Sequence, residues 1–161
     1  MLNLIYLGKF VNTHGLKGEI RIISDFEYKE DIFKIGSKLY IDNKEFIISS
    51  YRKHKNYDMV TFEGINSIEQ IEKYKNFNIY INREDYNFNF IYKDLIGMKV
   101  YSDGTCFGYV TEVLKNKLYP IIKIKNEREY MIPYITEFVK NVDIKNKVIT
   151  INYIKGLCDE D

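Results

Sequence analysis

The segment Asn87-Phe88-Asn89-Phe90-Ile91-Tyr92-Lys93-Asp94-Leu95-Ile96-Gly97 lies just past the middle of the chain and decides how the fold is divided. Short strand-like segments precede it and follow it. Between Phe88 and Tyr92 it carries three aromatic residues and Ile91, whereas a plain linker is rich in Gly, Ser or Pro. We therefore expect two small domains that join here. The apolar side chains of the join then pack against the partner domain or against another molecule.

A length of 161 residues suits one ordinary domain or two small ones. We place the domains at residues 1–86 and 87–161, with an interdomain segment at residues 82–92. The chain is rich in Ile, Tyr and Phe, and β-branched and aromatic residues favour strands. The sequence therefore predicts an all-β fold.

The first half contains six short strand patterns. Their ranges are Leu4–Val11, Glu19–Ile23, Lys38–Ile41, Glu45–Ser50, Asp58–Glu63 and Phe77–Ile81. Gly8 interrupts the first strand and predicts a bulge or a close backbone approach. Ser67, followed three residues later by Gln70, is a capping-box pattern that begins one short helix. Six short strands with one helix suggest a small antiparallel barrel, since closure removes exposed sheet edges.

Asn12–Gly18 contains two glycines three residues apart and predicts a tight loop. The loop partly resembles a phosphate-binding glycine-rich turn, but no helix and no Lys-Ser/Thr pair follow it, which excludes a P-loop. A structural loop is favoured over a phosphate site. His14 and His54 have no sequence neighbours with which to bind a metal or transfer protons.

Basic and aromatic residues alternate in Tyr51-Arg52-Lys53-His54-Lys55, which we place at the end of a hairpin. Arg and Lys bind phosphates, and Tyr can stack on a base. Arg52, Lys53 and Lys55, together with Lys17 of the glycine-containing loop, are therefore candidate RNA contacts. The alternative is a solvated loop in a Lys-rich protein.

The second half contains a further set of strand patterns and predicts a second antiparallel β unit. The expected strands are Gly97–Tyr101, Cys106–Leu114, Pro120–Lys125, Glu129–Ile132 and Lys147–Tyr153, with a short turn or strand at residues 136–139 and a turn at residues 143–146. Gly108, inside the second of these strands, predicts a bulge or a barrel corner. The chain from Gly156 onward is expected to be loose.

Composition narrows the functional classes. The formal net charge is +1, whereas a nucleic-acid-binding domain is usually clearly basic, so any RNA contact should be local or shared with a protein partner. Two separated cysteines, Cys106 and Cys158, without a Cys-x-x-Cys or Cys/His cluster argue against zinc and fit a reducing cytoplasm. Met1–Tyr6 lacks the features of a signal peptide, and no apolar run approaches membrane-spanning length.

Four groups of residues, in this order and spacing, resemble the ribosome maturation factor RimM family over nearly the whole chain. They are Gly8–Glu19; Phe62–Ile65; Tyr92–Gly97 with Gly104 and Gly108; and Ile132–Tyr134, Phe138-Val139 and Val142-Asp143 to Gly156-Leu157. The resemblance implies an N-terminal RimM-type barrel followed by a C-terminal PRC-barrel. It also implies a monomeric, non-enzymatic cytoplasmic factor, without a cofactor or metal, that assists 16S rRNA processing and assembly of the 30S head.

The resemblance further implies small-subunit ribosomal protein nineteen and nearby 16S rRNA as partners. A tyrosine pair at the start of the family's PRC-barrel contacts that protein, and it aligns here with Phe90 and Ile91, followed by Tyr92. This chain keeps the apolar bulk but lacks the two phenolic hydroxyls. A second departure is Lys115–Pro120, where the family often has a glycine-containing turn.

Two other classes of function remain open from the residues alone. One is a β-barrel that binds flavin or another small ligand, with Asn12–Gly18 holding its phosphate. The other is a PRC-type adaptor that docks on a membrane complex, against which the missing membrane anchor argues. The sequence contains no evident nucleophile–base pair, metal cluster or carboxylate dyad, which favours a binding module.

Overall fold

The structure, a computed structural model, describes residues 2–116 and 118–153. The chain divides into two compact units, Met1–Phe88 and Asn89–Asp161. The division falls two residues after the boundary that the sequence predicts. Lys117, the predicted loose segment from Gly156 onward and Cys158 lie outside the described residues.

Six antiparallel strands form the first unit. They are β1 (Leu4–His14), β2 (Glu19–Ile23), β3 (Lys38–Ile41), β4 (Lys44–His54), β5 (Tyr57–Phe62) and β6 (Asn78–Asn82). The strands close into a barrel in the order β1-β2-β5-β4-β3-β6. Inward-facing apolar residues of every strand fill it, among them Phe10, Ile20, Ile48 and Phe62, all at most 2 % exposed. The expectation of an all-β fold with a barrel in this half is confirmed.

Gly8 lets β1 bend enough to pair with two strands. The register of β1 against β6 shifts between Tyr6 and Gly8. A Cβ atom at Gly8 would lie 2.3 Å from the carbonyl oxygen of Ile23, which is closer than real Cβ contacts allow. The predicted bulge and close backbone approach are therefore both present.

The helical segments differ from the predicted single helix. Among the described residues, the chain forms one turn of α-helix, α1 (Lys29–Ile32), and 3-10 turns at Ile68–Gln70, Glu72–Tyr74, Arg83–Asp85 and Tyr92–Leu95. Ile71 separates the first two 3-10 turns with φ −121°, outside the helical range. The Gln70 side chain accepts a hydrogen bond from the Ser67 N–H at 3.1 Å, as the capping pattern suggests. A single turn gains too few hydrogen bonds to propagate an α-helix.

The second unit also contains six strands. They are β7 (Lys99–Ser102), β8 (Thr105–Leu114), β9 (Ile121–Lys125), β10 (Glu129–Pro133), β11 (Val139–Asp143) and β12 (Val148–Ile151). Their order in the sheet is β10-β9-β8-β7-β12-β11. Leu95 and Met98 join apolar residues of the strands in one core, whose fully buried members include Val100, Ile122 and Ile149.

Two features of the second sheet differ from the sequence expectation. The pair β7–β12 is parallel, whereas an antiparallel unit was expected. Residues 139–143 form strand β11, although the sequence suggested only a short turn or strand ending at Val139. Gly108 is predicted correctly: with φ +121°, it occupies a bulge where a Cβ atom would lie 2.2 Å from the Lys125 carbonyl oxygen.

Phe88 belongs to the first unit because it stacks within an aromatic cluster there. Its ring lies parallel to those of Tyr28 and Tyr86, with centroid distances of 4.6 Å and 5.2 Å, and it meets Phe26 edge-on at 5.7 Å. Offset or edge-on aromatic pairs contribute about 0.5–1.5 kcal/mol each beyond their buried area. The last residues of the first unit are thus fixed by stacking.

We expect a fragment of residues 1–88 to be more stable than one of residues 1–86, by about 1–3 kcal/mol, because only the longer one keeps these ring contacts. Urea unfolding followed by circular dichroism measures the difference. The 1–88 fragment carrying Phe88→Ala is the matched control and should behave like the shorter fragment. Equal stability of all three fragments would show that the stack contributes nothing.

Candidate functional site

The four basic residues singled out from the sequence do not form one cluster. Arg52 and Lys53 are neighbours in β4, so their side chains point to opposite faces of the sheet. Lys55 lies in the β4–β5 turn with φ +56°, and Lys17 lies in the β1–β2 turn. All four residues are exposed. The prediction that Tyr51–Lys55 follows the end of a hairpin is wrong, because residues 51–54 continue strand β4.

Arg52 is held by Glu19 across the outer face of the barrel. Arg52 Nε and Nη2 donate to Glu19 Oε2 at 2.9 Å and Oε1 at 2.7 Å, the bidentate geometry that guanidinium groups adopt with carboxylates. The side chains are 49 % and 17 % exposed. The hydrogen bond from Arg52, above all other causes, lowers the pKa of Glu19, so the carboxylate stays ionised.

Two histidines that are far apart in the sequence meet beside this ion pair. The rings of His14 and His54 lie 6.1 Å apart, although nothing in the sequence linked them. Arg21 Nη2 lies 2.8 Å from His14 Nδ1. A guanidinium nitrogen only donates, so Nδ1 accepts and the ring carries its proton on Nε2. The Arg21 guanidinium also lies 5.6 Å from the centre of the Tyr57 ring.

Strand register explains why these side chains share one face. Met59 of β5 is paired with Arg21 of β2 on one side and with Arg52 of β4 on the other. Directly paired residues project to the same face of a sheet. Met59 is fully buried there, because long side chains such as those of arginine cover apolar surface with their stems. We call His14, Glu19, Arg21, Arg52 and His54 the arginine–histidine face.

Asp58 occupies the opposite face and is 1 % exposed. Its Oδ2 accepts from Lys29 Nζ at 3.0 Å and its Oδ1 from the Tyr51 hydroxyl at 2.6 Å, which fastens α1 to the sheet. Desolvation of the phenol, followed by this hydrogen bond, raises the pKa of Tyr51. A cavity of about 270 Å³ beside them is also lined by Lys53. Lys53 therefore lies beside a mixed-charge pocket, on the opposite face of the sheet from Arg52.

We expect Asp58→Asn to destabilise the protein by about 1–3 kcal/mol, because it removes the charge that compensates Lys29 in a partly desolvated site. The 25 % exposure of Lys29 places the expected value toward the lower end. Urea unfolding at neutral pH measures it. Asp103→Asn, in the exposed β7–β8 turn, makes the same chemical change and should have almost no effect; equal losses would contradict the role of Asp58.

The glycine-containing loop is shorter than predicted. Asn12, Thr13 and His14 continue β1, so only residues 15–18 form the turn. A Cβ atom at Gly18 would lie 2.9 Å from Ile65 Cγ2, and the Leu16 carbonyl accepts a hydrogen bond from the Ile68 N–H at 3.1 Å. The turn is thus packed against the segment that follows β5, as the structural interpretation expects.

The three candidate partner-binding residues of the second unit occupy different environments. Ile91 is 4 % exposed, and its N–H donates to Asp94 Oδ2 at 3.0 Å. Phe90 and Tyr92 are half-buried and pack against the core of the second unit. Tyr92 meets Tyr134 edge-on, with 5.5 Å between ring centres. Successive side chains of this segment therefore alternate in burial: Ile91 is buried, whereas Phe90 and Tyr92 are partly exposed at the surface.

Phe90 also lines a groove of about 380 Å³ in the second unit, which we call the Phe90 groove. Its other walls come from the chain between β10 and β11 and from β11 itself: Tyr134, Ile135, Thr136, Val139, Lys140, Asn141 and Val142. β11 is an edge strand of the sheet among the described residues. An apolar groove beside an edge strand can receive an extended peptide, through main-chain hydrogen bonds and side-chain pockets.

The part of the chain that the structure describes contains no group of three His, Cys, Asp or Glu residues arranged to hold a metal ion. Within the same residues, no helix is long and apolar enough to cross a membrane.

Asn116 Oδ1 accepts hydrogen bonds from the N–H groups of Leu118 and Tyr119, both at 3.0 Å, in the loop where the sequence departs from the family pattern.

Comparison with known proteins gives a consistent result for both units. The model of the RimM N-terminal domain matches residues 5–86, and that of the RimM PRC barrel domain matches residues 92–157. The ribosome maturation factor RimM of Staphylococcus saprophyticus is 39 % identical, covering 96 % of this chain and 99 % of that protein. The factor of Streptococcus pneumoniae is 36 % identical, covering 99 % and 100 %. A crystal structure of RimM from Pseudomonas aeruginosa, 18 % identical, gives a TM-score of 0.48 over 94 % of this chain and 98 % of that chain.

Proposed function

Because the chain belongs to the RimM family of ribosome maturation factors, we propose that it binds the immature 30S subunit at its head. It does so through small-subunit ribosomal protein nineteen and nearby 16S rRNA, and it thereby assists rRNA processing and head maturation. The near full-length match to ribosome maturation factors is the observation that carries this proposal.

The Phe90 groove is the proposed contact for the ribosomal protein. Protein interfaces gain most of their affinity from a few large, partly buried side chains, and Phe90 and Tyr92 supply aromatic surface of this kind. The side chains of the groove are mostly uncharged, with Lys140 as its cation. Main-chain groups of β11 offer hydrogen bonds that do not depend on the phenolic hydroxyls missing at positions 90 and 91.

Ile91 supports this contact from beneath rather than touching the partner. Its side chain is buried, and its backbone N–H donates to the carboxylate of Asp94, the third residue of the 3-10 turn Tyr92–Leu95 that Ile91 precedes. Because the backbone of Ile91 is held in place, the neighbouring side chains of Phe90 and Tyr92 have defined directions. The segment therefore combines one structural residue with two neighbours that are partly accessible.

The rRNA contact is proposed for the first barrel. Arg52, Lys55 and Lys17 are exposed cations on strands and turns of that barrel, and Lys53 contributes from the rim of the Asp58 pocket. The overall charge of the protein is close to neutral, so these contacts are local and act together with the protein–protein contact.

Such a factor acts by differential binding rather than by bond chemistry. A protein that binds one conformation of the subunit head more tightly than another increases the population of the favoured one. It dissociates when maturation removes the favoured surface. The factor then acts as a cytoplasmic monomer that needs neither a cofactor nor a metal ion.

We expect the full-length protein to cosediment with free 30S subunits and not with 70S ribosomes in a sucrose gradient, because the proposed surface is available only before maturation is complete. Immunoblotting of the gradient fractions measures the distribution. Equal occupancy of both particles, or of neither, would contradict the proposed function.

We expect Phe90→Ala to weaken binding to isolated ribosomal protein nineteen by about thirtyfold, since truncating an interface hot spot costs about 2 kcal/mol or more. Calorimetric titration measures the affinity, and a thermal melt checks the fold. Ile91→Ala should instead lower the melting temperature, because large-to-small changes in a core cost about 2–5 kcal/mol.

Ile96→Ala is the matched control, since Ile96 lies in the same segment and is 49 % exposed. It should change neither the affinity nor the melt. If Phe90→Ala binds like the unmodified protein, the Phe90 groove is not the contact.

A further inference from the structure

We infer that the arginine–histidine face is a binding site for an RNA phosphodiester, and that Glu19 occupies it in the free protein as an intramolecular substitute for the phosphate. The inference rests on the proposed function in one respect: it identifies the chemistry by which the first barrel contacts RNA. It adds three residues, His14, Arg21 and His54, and it makes the contact competitive rather than freely available.

The geometry of the ion pair supports the substitution. Arg52 presents Nε and Nη2 to two oxygens of Glu19, at 2.9 Å and 2.7 Å. A phosphate presents two oxygens to a guanidinium group in the same paired arrangement. Arg52 is 49 % exposed, so a phosphate from solvent can approach the guanidinium group that Glu19 now occupies.

Arg21 supplies a second cation whose hydrogen-bonding capacity is not exhausted. One of its terminal nitrogens contacts His14, and the guanidinium lies over Tyr57. Among the described residues, its Nε is buried and meets no hydrogen-bond acceptor. An unsatisfied buried donor is uncommon in folded proteins, because it forfeits its bonds to water.

The positions of the two arginines allow them to act on one anion. Both pair with Met59 from opposite sides, so their backbones lie about 10 Å apart, two strand spacings, on one face. Long side chains span that distance. His14 of β1 is paired with Glu19 of β2, so both project to this face, and the His54 ring lies 6.1 Å from the His14 ring. Both histidines also contribute to lowering the pKa of Glu19.

Glu19 offsets only part of the positive charge on this face. The five residues of the face include two arginines and a single carboxylate, and that carboxylate belongs to β2 of the same barrel. When a phosphate takes its place on Arg52, the displaced Glu19 returns to water, where a carboxylate is well solvated. This exchange keeps RNA affinity low without preventing contact.

The test measures binding of full-length variants to a fluorescein-labelled single-stranded RNA by anisotropy, at several salt concentrations. Glu19→Gln should bind about fivefold more tightly, the effect of removing one unit charge at contact distance in water. Arg52→Gln should bind more weakly and lower the slope of log affinity against log salt by about 0.7, the loss of one phosphate contact to a single strand. Arg21→Gln should have a similar effect.

A double variant isolates the competition. If Glu19 acts by occupying Arg52, Glu19→Gln should tighten binding much less in the presence of Arg52→Gln. Glu45→Gln, at an exposed position of β4, changes the net charge equally and is the matched control, with an expected effect below twofold. Circular dichroism confirms that each variant is folded.

If Glu19→Gln and Glu45→Gln increased RNA affinity equally, the effect would depend only on net charge, and the inference would be overturned. An unchanged affinity in Glu19→Gln, or no measurable RNA binding by either the unmodified protein or this variant, would also overturn it. The sedimentation experiment separates this failure from that of the proposed function. Cosedimentation with 30S without any Glu19 effect removes only the phosphate site, and a Glu19 effect without cosedimentation removes only the ribosomal assignment.

Discussion

Closure of the first sheet is the constraint on which the rest of that unit depends. β1 must pair with β2 along one edge and with β6 along the other, and its register shifts twice to do so, once at Gly8 and once between Phe10 and Asn12. At Gly8 the backbone passes so close to Ile23 that no side chain fits. The second shift changes which residues of β1 face outward: Phe10 is buried opposite Ile22, whereas Asn12 and His14 lie opposite Arg21 and Glu19.

Closure also determines what the outer surface can do. With the apolar residues of the six strands directed inward, alternation sends every second side chain of β2 and β4 outward. Glu19 and Arg21 flank the buried Ile20, and Arg52 projects from the same face as Met59. The ion pair, the histidines and the covering of Met59 follow from strand register rather than from any local sequence motif.

Local patterns predicted most of the strands, both glycine bulges and the all-β class, because alternation and turn residues act over a few positions. They failed at Tyr51–His54, where three basic residues in succession hide the alternation: the predicted strand ends at Ser50, whereas β4 continues to His54. Once β4 is extended, the separation of Arg52 from Lys53 follows directly. The meeting of His14 with His54, forty positions apart, depends on sheet order and has no local signal. The parallel pairing of β7 with β12 and the burial of Ile91 are non-local for the same reason.

The parallel pair has a consequence for the order in which the protein forms during synthesis. β7 is the first strand of the second unit and lies between β8 and β12. One of its two neighbours, β12, is therefore the last strand among the described residues to be translated. All strands of the first barrel have been made by Asn82, and that barrel can close while the remainder is still being translated. The second sheet must wait for Val148–Ile151. Until then, the edge of β7 that later pairs with β12 is unpaired, and an unpaired strand edge can pair with other chains and aggregate.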